Sequence, residues 1–373
     1  MTVRALIAGG GTGGHLFPAL AVAEILRERG AETLFVGTKS GVEAKVVPEK
    51  GFELEYLWLS GFNRRKIASN LLFPIKVLVS FIQSFVIISR YRPQVALGTG
   101  GYVCGPILLA AAIRKVPLLL QEQNSFPGVT TRLLARFAGE VFLNFKEAAS
   151  YLPQGTKWRF LGNPVRPGFS QLDRREAIKL WKLNPSLPTL LVFGGSQGAL
   201  SINKAVAEIL PQLGSLCNLI WSRGRMDTSE PKGWTGPGVM VVRPFIDDMP
   251  SACAAADLAV CRSGAMTLSE LQAAALPAIL IPYPYAAGDH QKRNAESFSG
   301  RGGALLIENR DLNGNKLLSM IQALFDQRER LEEMRTALKA FPKQDTAAVI
   351  ADEMIRIAES GLKKTLDSEV APS

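Results

Sequence analysis

Histidine and cysteine are scarce in this chain of 373 residues, which holds two of the former and four of the latter. Cys104, Cys217, Cys253 and Cys261 form no C-x-x-C pair. That excludes a zinc ribbon or a disulfide framework and suits a reducing compartment. No D-x-D triplet occurs, so the carboxylate pair that commonly holds a metal against a sugar diphosphate is missing. No His, Cys and Asp cluster has metal-ligand spacing either, and neither a metal nor a cofactor is expected. Residues 3–8 form an apolar β-type run with no basic n-region or long apolar h-region before it, so no secretory signal is expected. Asp and Glu are absent from residues 56–121. What is present is ordinary for a globular chain: 47% hydrophobic residues, with a net charge of +10 from 43 Lys and Arg against 33 Asp and Glu. At roughly 150 residues per domain, two domains are expected.

The acid-free window contains Arg64, Arg65, Lys66, Lys76, Arg90, Arg92, Arg114 and Lys115, together with the most apolar stretch of the chain, residues 71–88. A membrane-spanning helix is rejected here. The run falls short of the roughly 20 apolar residues a span needs, and it carries Pro74, Lys76, Gln83 and two serines. On a helical wheel Lys76, Ser80, Gln83 and Ser84 form one narrow stripe. Ile75, Leu78, Val79, Ile82, Phe85 and Val86 fill the opposite face. Two readings remain, a buried flanking helix and a surface docked on an anionic membrane; coinciding acid depletion and apolarity favour the second.

Along the chain the pattern is strand, loop, helix, repeated. Strands are expected at 3–8, 33–37, 95–99, 117–121, 140–144 and 157–161, with helices at 18–29, 106–115 and 129–138. After the turn-rich Gly162-Asn163-Pro164-Val165-Arg166-Pro167 the pattern restarts, with strands at 189–193, 218–222, 239–243, 258–261, 278–281 and 304–307. Short apolar strands alternating with helices specify a parallel sheet covered on both faces. The fold class is α/β, two Rossmann-like doubly wound domains in tandem with an interdomain cleft. The boundaries are 1–163 and 164–342, with a helix at about 343–361 packing back on the first domain and a frayed tail over 362–373.

Both halves open with a strand running into glycines, Gly9-Gly10-Gly11-Thr12-Gly13-Gly14 and Gly194-Gly195-Ser196-Gln197-Gly198. A third such loop is Gly98-Thr99-Gly100-Gly101-Tyr102. Gly9-x-Gly11-x-x-Gly14 matches the dinucleotide fingerprint, but the acid expected at the end of the next strand is missing, since that strand ends Phe35-Val36-Gly37-Thr38. A nicotinamide site is therefore weak, and no Lys follows to make a P-loop. Three glycine loops at the ends of parallel strands instead suit more than one phosphorylated group. His15 closes the first loop at a helix start, where the positive helix end favours a neutral ring able to accept a proton, so a base or hydrogen-bonding role is favoured over structural capping. His290 lies in Gly288-Asp289-His290-Gln291 and is left between a structural and a functional role. In residues 261–270, Ser263-Gly264 turns into a helix whose free N–H groups suit a diphosphate, and Glu270 suits a pair of sugar hydroxyls. The plainer reading makes Ser263 an N-cap and Glu270 a dipole partner. Charge on a leaving diphosphate would be met by backbone N–H groups, helix ends and Arg166 or Arg262.

Taken in order, Gly10-Gly11-Thr12-Gly13-Gly14-His15, Gly100-Gly101-Tyr102, Glu122-Gln123-Asn124, Gly162-Asn163-Pro164-Val165-Arg166, Gly194-Gly195-Ser196-Gln197-Gly198-Ala199, Phe245-Ile246-Asp247-Asp248-Met249 and the run from Ser263 to Glu270 resemble the MurG-type glycosyltransferases. These enzymes make lipid II from lipid I on the cytoplasmic face of the bacterial plasma membrane. The resemblance spans residue 4 to about 360 and implies a GT-B fold. It implies UDP-N-acetylglucosamine as donor, lipid I as acceptor, peripheral attachment to the anionic inner membrane, and other cell-wall enzymes as partners. By matching position it carries over Ser196, Ile246, Ala265, Met266, Thr267, Leu268, Ser269, Glu270, Gln291 and Asn294 as donor contacts. Within that group Ile246 meets uracil through its backbone, Glu270 the ribose, and Gln291 with Asn294 the sugar. Thr12, Gly13, Gly14, Asn124 and Arg166 line the cleft, and His15 matches the proposed general base, with another proton acceptor left open. Met266 stands where the family often has Leu, a volume-conserving change.

Three rivals are weighed against this. A UDP-sugar epimerase has no use for a basic apolar surface. A membrane scaffold without activity leaves the glycine loops unexplained, and a dehydrogenase lacks its ribose acid. Nucleic acid is not expected as a partner, because the positive charge is interleaved with aliphatic rather than stacking aromatic side chains.

Overall fold

Apolar strands with no polar alternation, such as Ala5-Leu6-Ile7-Ala8 and Leu190-Leu191-Val192-Phe193, are buried along both faces and pair in parallel. The computed structural model describes residues 2–61, 71–165, 168–169, 172–195, 197–340 and 345–370; Arg64, Arg65, Lys66, Arg166, Ser196 and Pro342 lie outside them. The chain divides into two compact units, Met1–Val165 with Gln344–Ser373, and Arg166–Lys343.

In the first unit the strands are β1 (Arg4–Ala8), β2 (Glu32–Gly37), β3 (Glu53–Tyr56), β4 (Val95–Gly98), β5 (Leu118–Glu122), β6 (Glu140–Leu143) and β7 (Trp158–Phe160). Between them run α1 (Gly13–Glu28), α2 (Glu43–Glu49), α3 (Phe73–Tyr91), α4 (Cys104–Ile113) and α5 (Val129–Leu134). The strand order is β3-β2-β1-β4-β5-β6-β7. The order reverses between β1 and β4, so the crevice of this sheet opens at their C-terminal ends.

The second unit holds β8 (Thr189–Phe193), β9 (Asn218–Ser222), β10 (Met240–Arg243), β11 (Leu258–Cys261), β12 (Ala278–Leu280) and β13 (Ala304–Leu306). Its helices are α6 (Arg174–Leu180), α7 (Leu200–Glu208), α8 (Leu210–Leu216), α9 (Met249–Ala255), α10 (Ala265–Ala273), α11 (His290–Ser299), α12 (Gly314–Asp326) and α13 (Arg328–Lys339). The order β10-β9-β8-β11-β12-β13 reverses between β8 and β11. This is the doubly wound α/β class read from the sequence, realised twice.

The last helix, α14 (Thr346–Val370), belongs to the first unit. Its Ala347, Ile350, Ala351, Met354 and Ala358 join the core formed by α1 and one face of the sheet. Thr346 donates to the Leu161 carbonyl at 2.7 Å, and Asp352 pairs with Arg29. The helix continues to Val370 where a frayed tail is expected, because residues 361–370 contain one glycine and no proline to stop it.

Helix α3 inverts the usual arrangement of an amphipathic helix. Its buried residues are Ser80, Ser84, Ile87 and Ile88. The serine hydroxyls are satisfied within the helix, Ser80 on the Val77 carbonyl at 2.8 Å and Ser84 on the Ser80 carbonyl at 2.6 Å. Leu78, Ile82 and Val86 on the other side are 61%, 57% and 59% exposed. At 19 residues, α3 is long and apolar enough to cross a membrane by length and composition. Shortness therefore does not exclude a span, contrary to the sequence expectation. The connection does: α3 leads from β3 to β4 of one sheet and packs against α4, as a crossover helix must.

Candidate functional site

In the first unit the glycine loop after β1 and the loop after β4 meet at the reversal of strand order. Helix α1 begins at Gly13, earlier than the expected residue 18, because the Thr12 carbonyl accepts from both His15 and Leu16 N–H, at 3.2 and 3.1 Å. Pro18 then sits inside the helix and removes the one backbone bond to the Gly14 carbonyl. His15 consequently lies in the first turn. Its Nδ1 stands 3.1 Å from the Thr99 carbonyl and 2.9 Å from Gln123 Oε1. Thr99 Oγ1 donates back to the His15 carbonyl at 2.8 Å. Gly100 has φ +104°, and a Cβ there would lie 2.6 Å from His15 Nδ1, so only glycine lets the ring lie against this loop.

A second clamp holds the same loop from beneath. Glu43, 1% exposed, accepts from Gly11 N–H at 2.8 Å, from Thr38 N–H at 2.9 Å and from Thr38 Oγ1 at 3.0 Å. A Cβ on Gly10 would fall 2.5 Å from the Glu43 carboxyl carbon, which explains a glycine at that position. Tyr102 hydroxyl lies 3.2 Å from Thr38 Oγ1 and ties the loop after β4 into the clamp. Cys104 Sγ bonds the Ala8 and Gly100 carbonyls at 3.1 and 3.0 Å, and burial pushes its thiol up to about 12. It is a packing group, not a nucleophile. Asn124 is held by Glu122, whose Oε1 accepts from its N–H at 3.0 Å and from its Nδ2 at 3.2 Å.

In the second unit the starts of α10 and α11 are tied together at the end of β11. Ser263 donates to the Gln291 carbonyl at 2.7 Å, and Gln291 Oε1 accepts from Tyr283 N–H at 3.0 Å. Gly264, not Ser263, is the N-cap of α10, and it provides no side-chain cap. The first turn, Ala265 to Thr267, holds N–H groups for which a helix supplies no intrahelical acceptor. Glu270 is half-buried in the second turn. Among the described residues no three His, Cys, Asp or Glu side chains gather as metal ligands.

Residues 5–143 match the glycosyltransferase family 28 N-terminal domain, and residues 189–350 match the glycosyltransferase family 28 C-terminal domain. The chain belongs to glycosyltransferase family 28. Among family 28 relatives, a UDP-N-acetylglucosamine–N-acetylmuramyl-(pentapeptide) pyrophosphoryl-undecaprenol N-acetylglucosamine transferase of Chlorobium luteolum is 44% identical, covering 95% of this chain and 99% of its own. One of the same name from Desulforudis audaxviator is 39% identical, covering 97% and 100%. The crystal structure of MurG from Acinetobacter baumannii superposes with a TM-score of 0.75 at 26% identity, covering 95% of this chain and 99% of that one. The architecture is accordingly of the GT-B type, with one family 28 domain in each unit.

Several carried-over family 28 positions are buried or bonded within the fold. Leu268 is 1% exposed and its N–H is taken by the Gly264 carbonyl, so it belongs to the core. Ser269 donates its hydroxyl to the Ala265 carbonyl at 3.0 Å. Asn294 has no exposed surface and donates to the Ser263 carbonyl at 3.4 Å, bracing the turn. Ile246 is likewise buried, with only its backbone left for a ligand. Arg262 does not reach for a diphosphate. Its guanidinium donates to the Ile281 and Pro282 carbonyls, Asn309 Oδ1 and Ser201 Oγ, all within 3.0 Å. Burial lowers its proton affinity. Thr12, Gly13, Gly14, Met266, Thr267, Glu270 and Gln291 keep at least partial exposure. Glu43, Thr38 and Gln123 were not among the expected site residues.

Proposed function

We propose that this chain transfers N-acetylglucosamine from UDP-N-acetylglucosamine to the 4-hydroxyl of undecaprenyl-diphospho-N-acetylmuramoyl-pentapeptide, the lipid I to lipid II step of peptidoglycan synthesis. The observation that carries the reading is the activity in the names of relatives 39–44% identical over nearly the whole chain. The two strand-order reversals add a physical reason, since each places glycine loops and a helix start where doubly wound sheets bind phosphorylated ligands.

The reaction is a single inverting displacement. The acceptor oxygen bonds to the anomeric carbon of the donor, the bond from that carbon to the β-phosphate oxygen breaks, and UDP leaves. The hydroxyl proton passes to His15 Nε2. The first unit takes the acceptor, with Thr12, Gly13, Gly14 and Asn124 around its diphosphate, and Arg166, the first residue of the second unit, meets the charge on the leaving diphosphate. The second unit takes UDP, with Ser196, the Ile246 backbone, the Ala265–Thr267 helix start and Glu270 as contacts and Gln291 on the sugar. Main-chain amides, not a metal, face the departing charge. Incubation with UDP-N-acetylglucosamine and a short-chain lipid I analogue tests this: lipid II formed equally with and without chelator is expected. Release of an altered UDP-sugar without acceptor would identify an epimerase instead. Replacing His15 by Ala should lower kcat by about 10²–10⁴-fold and leave UDP affinity unchanged by calorimetry; near-normal turnover would remove His15 from the chemistry.

Attachment to the membrane is peripheral, through the outward face of α3. Ile75, Leu78, Ile82 and Val86 are exposed there, as are Leu71 and Leu72 just before the helix. Trp58, 48% exposed, is held near them by its backbone N–H, which donates to Gln83 Oε1 at 2.8 Å. Such a face with an interfacial Trp suits the headgroup boundary. Arg64, Arg65 and Lys66 precede it in sequence and would favour the anionic cytoplasmic leaflet of the inner membrane.

A further inference from the structure

Gln123 makes contacts that the proposed transfer leaves unexplained. It is 2% exposed, and a buried amide requires partners for both ends. Its Nε2 lies 2.6 Å from the Thr99 carbonyl and 3.1 Å from the Gln121 carbonyl, and also meets Gln121 Oε1. Two of these are main-chain oxygens, which only accept. The amide orientation is therefore fixed, with the NH₂ group towards them and Oε1 on the opposite edge. That Oε1 is 2.9 Å from His15 Nδ1, and the same Thr99 carbonyl is 3.1 Å from Nδ1. A ring nitrogen facing two acceptors must carry the hydrogen. The other nitrogen of the neutral ring, Nε2, then holds the lone pair, and it bonds to nothing among the described residues.

We propose that Gln123 is a positioning residue that sets His15 in the Nδ1–H tautomer and so makes Nε2 the proton acceptor of the transfer. The inference rests on His15 being the base. Gln123 is itself held: Asn144 Nδ2 donates to its carbonyl at 2.9 Å, and Gln121 Nε2 donates to Asn163 Oδ1 at 2.7 Å. The buried amides Gln123, Gln121 and Asn163 thus form a connected chain behind the imidazole. Glutamine fits because one edge must accept from Nδ1–H while the other donates to carbonyls. A carboxyl group without a proton would turn a lone pair on the Thr99 and Gln121 carbonyls, and an apolar side chain would leave the Gln121 carbonyl unserved.

The test reads the tautomer directly. The chain has two histidines, so ¹⁵N spectra of histidine-labelled protein, compared with His15→Ala, isolate the ring of His15. In the unaltered protein Nδ1 should be pyrrole-type and Nε2 pyridine-type. In Gln123→Met, of similar volume, the Nε2–H form should appear and kcat should fall about 10–100-fold, with UDP affinity and acceptor KM within twofold. That is less than the roughly 10⁴-fold cost of a wholly wrong tautomer in a serine protease, because Thr99 still accepts. Gln123→Glu keeps an acceptor for Nδ1 and should keep the tautomer, a rescue that a merely structural role would not give. An Nε2–H ring in the unaltered protein, or Gln123→Met with tautomer and kcat both unmoved, would overturn the proposal. The spectra need no substrate. A tautomer lost in Gln123→Met beside near-normal turnover of His15→Ala would therefore sink the base and leave the positioning intact.

Discussion

Three neutral donors converge on Glu43, and no cationic side chain among the described residues is one of its partners. With one oxygen serving Thr38 and the other Gly11, the carboxyl group has no edge to spare for an NH₂. In Glu43→Gln the amide keeps its oxygen on the two Thr38 donors and turns NH₂ against Gly11 N–H, two donors face to face. Leaving that N–H without an acceptor should cost about 1–3 kcal/mol, read as a lower urea midpoint; an unchanged midpoint would show that the clamp contributes nothing. At the other site Glu270→Ala should weaken UDP binding in calorimetry, and unaltered affinity would remove Glu270 from the ribose. Legibility divides these residues. His15 and Glu270 stand out because each follows a glycine turn at a helix start. Glu43 and Gln123 act on partners 32 and 108 positions away, and although Gln123 falls within the Glu122-Gln123-Asn124 motif, no local pattern points to either distant partner. Arg262 was misjudged for the same reason. A charge beside a glycine turn suggests an anion, whereas its carbonyl partners lie on the loop after β12.

At the scale of elements, fully buried strands were legible because apolar runs of this length between glycine turns suit little else, and β8, β9 and β11 fall on the expected residues. β3 was missed. It reads Glu53-Leu54-Glu55-Tyr56 at the edge of the sheet, where one side needs no apolar cover. The two faces of α3 were separable by periodicity, but which one turns inward depends on α4. Small serines let the helices approach closely, and their hydroxyls bond back to the helix, so burying the polar stripe leaves no donor unpaired. A face left apolar outward is costly in water and invites a partner. Replacing Leu78 and Ile82 by Glu should therefore leave thermal stability within about 0.5 kcal/mol, as for exposed sites generally, while abolishing flotation with anionic vesicles. Persistent flotation would place membrane contact elsewhere.

For the whole molecule, the chain order and the order of the cores differ. It leaves the first unit after Val165, builds the second, and returns at residue 344. The second unit has a buried cluster around Trp221, Leu258 and Ile321, and the first has two, one around Ile7, Leu97 and Met354 and another around Leu6, Ala96 and Ile107. Ligand bound to one folded unit stabilises that unit alone, by about 2.7 kcal/mol at a hundred times its dissociation constant. Calorimetry should then resolve two transitions, with UDP raising one and leaving the other. The last helix says which is which. Removing residues 345–373 strips Ile350, Ala351 and Met354 from their places against α1 and β4. That loss is comparable to several large-to-small core substitutions of about 2–5 kcal/mol each. The truncated chain should lose or sharply lower the UDP-insensitive transition and retain the UDP-sensitive one at its original temperature. If truncation instead lowers the transition that UDP raises, the nucleotide is held by the first unit, and the assignment of donor and acceptor to the two units must be reversed.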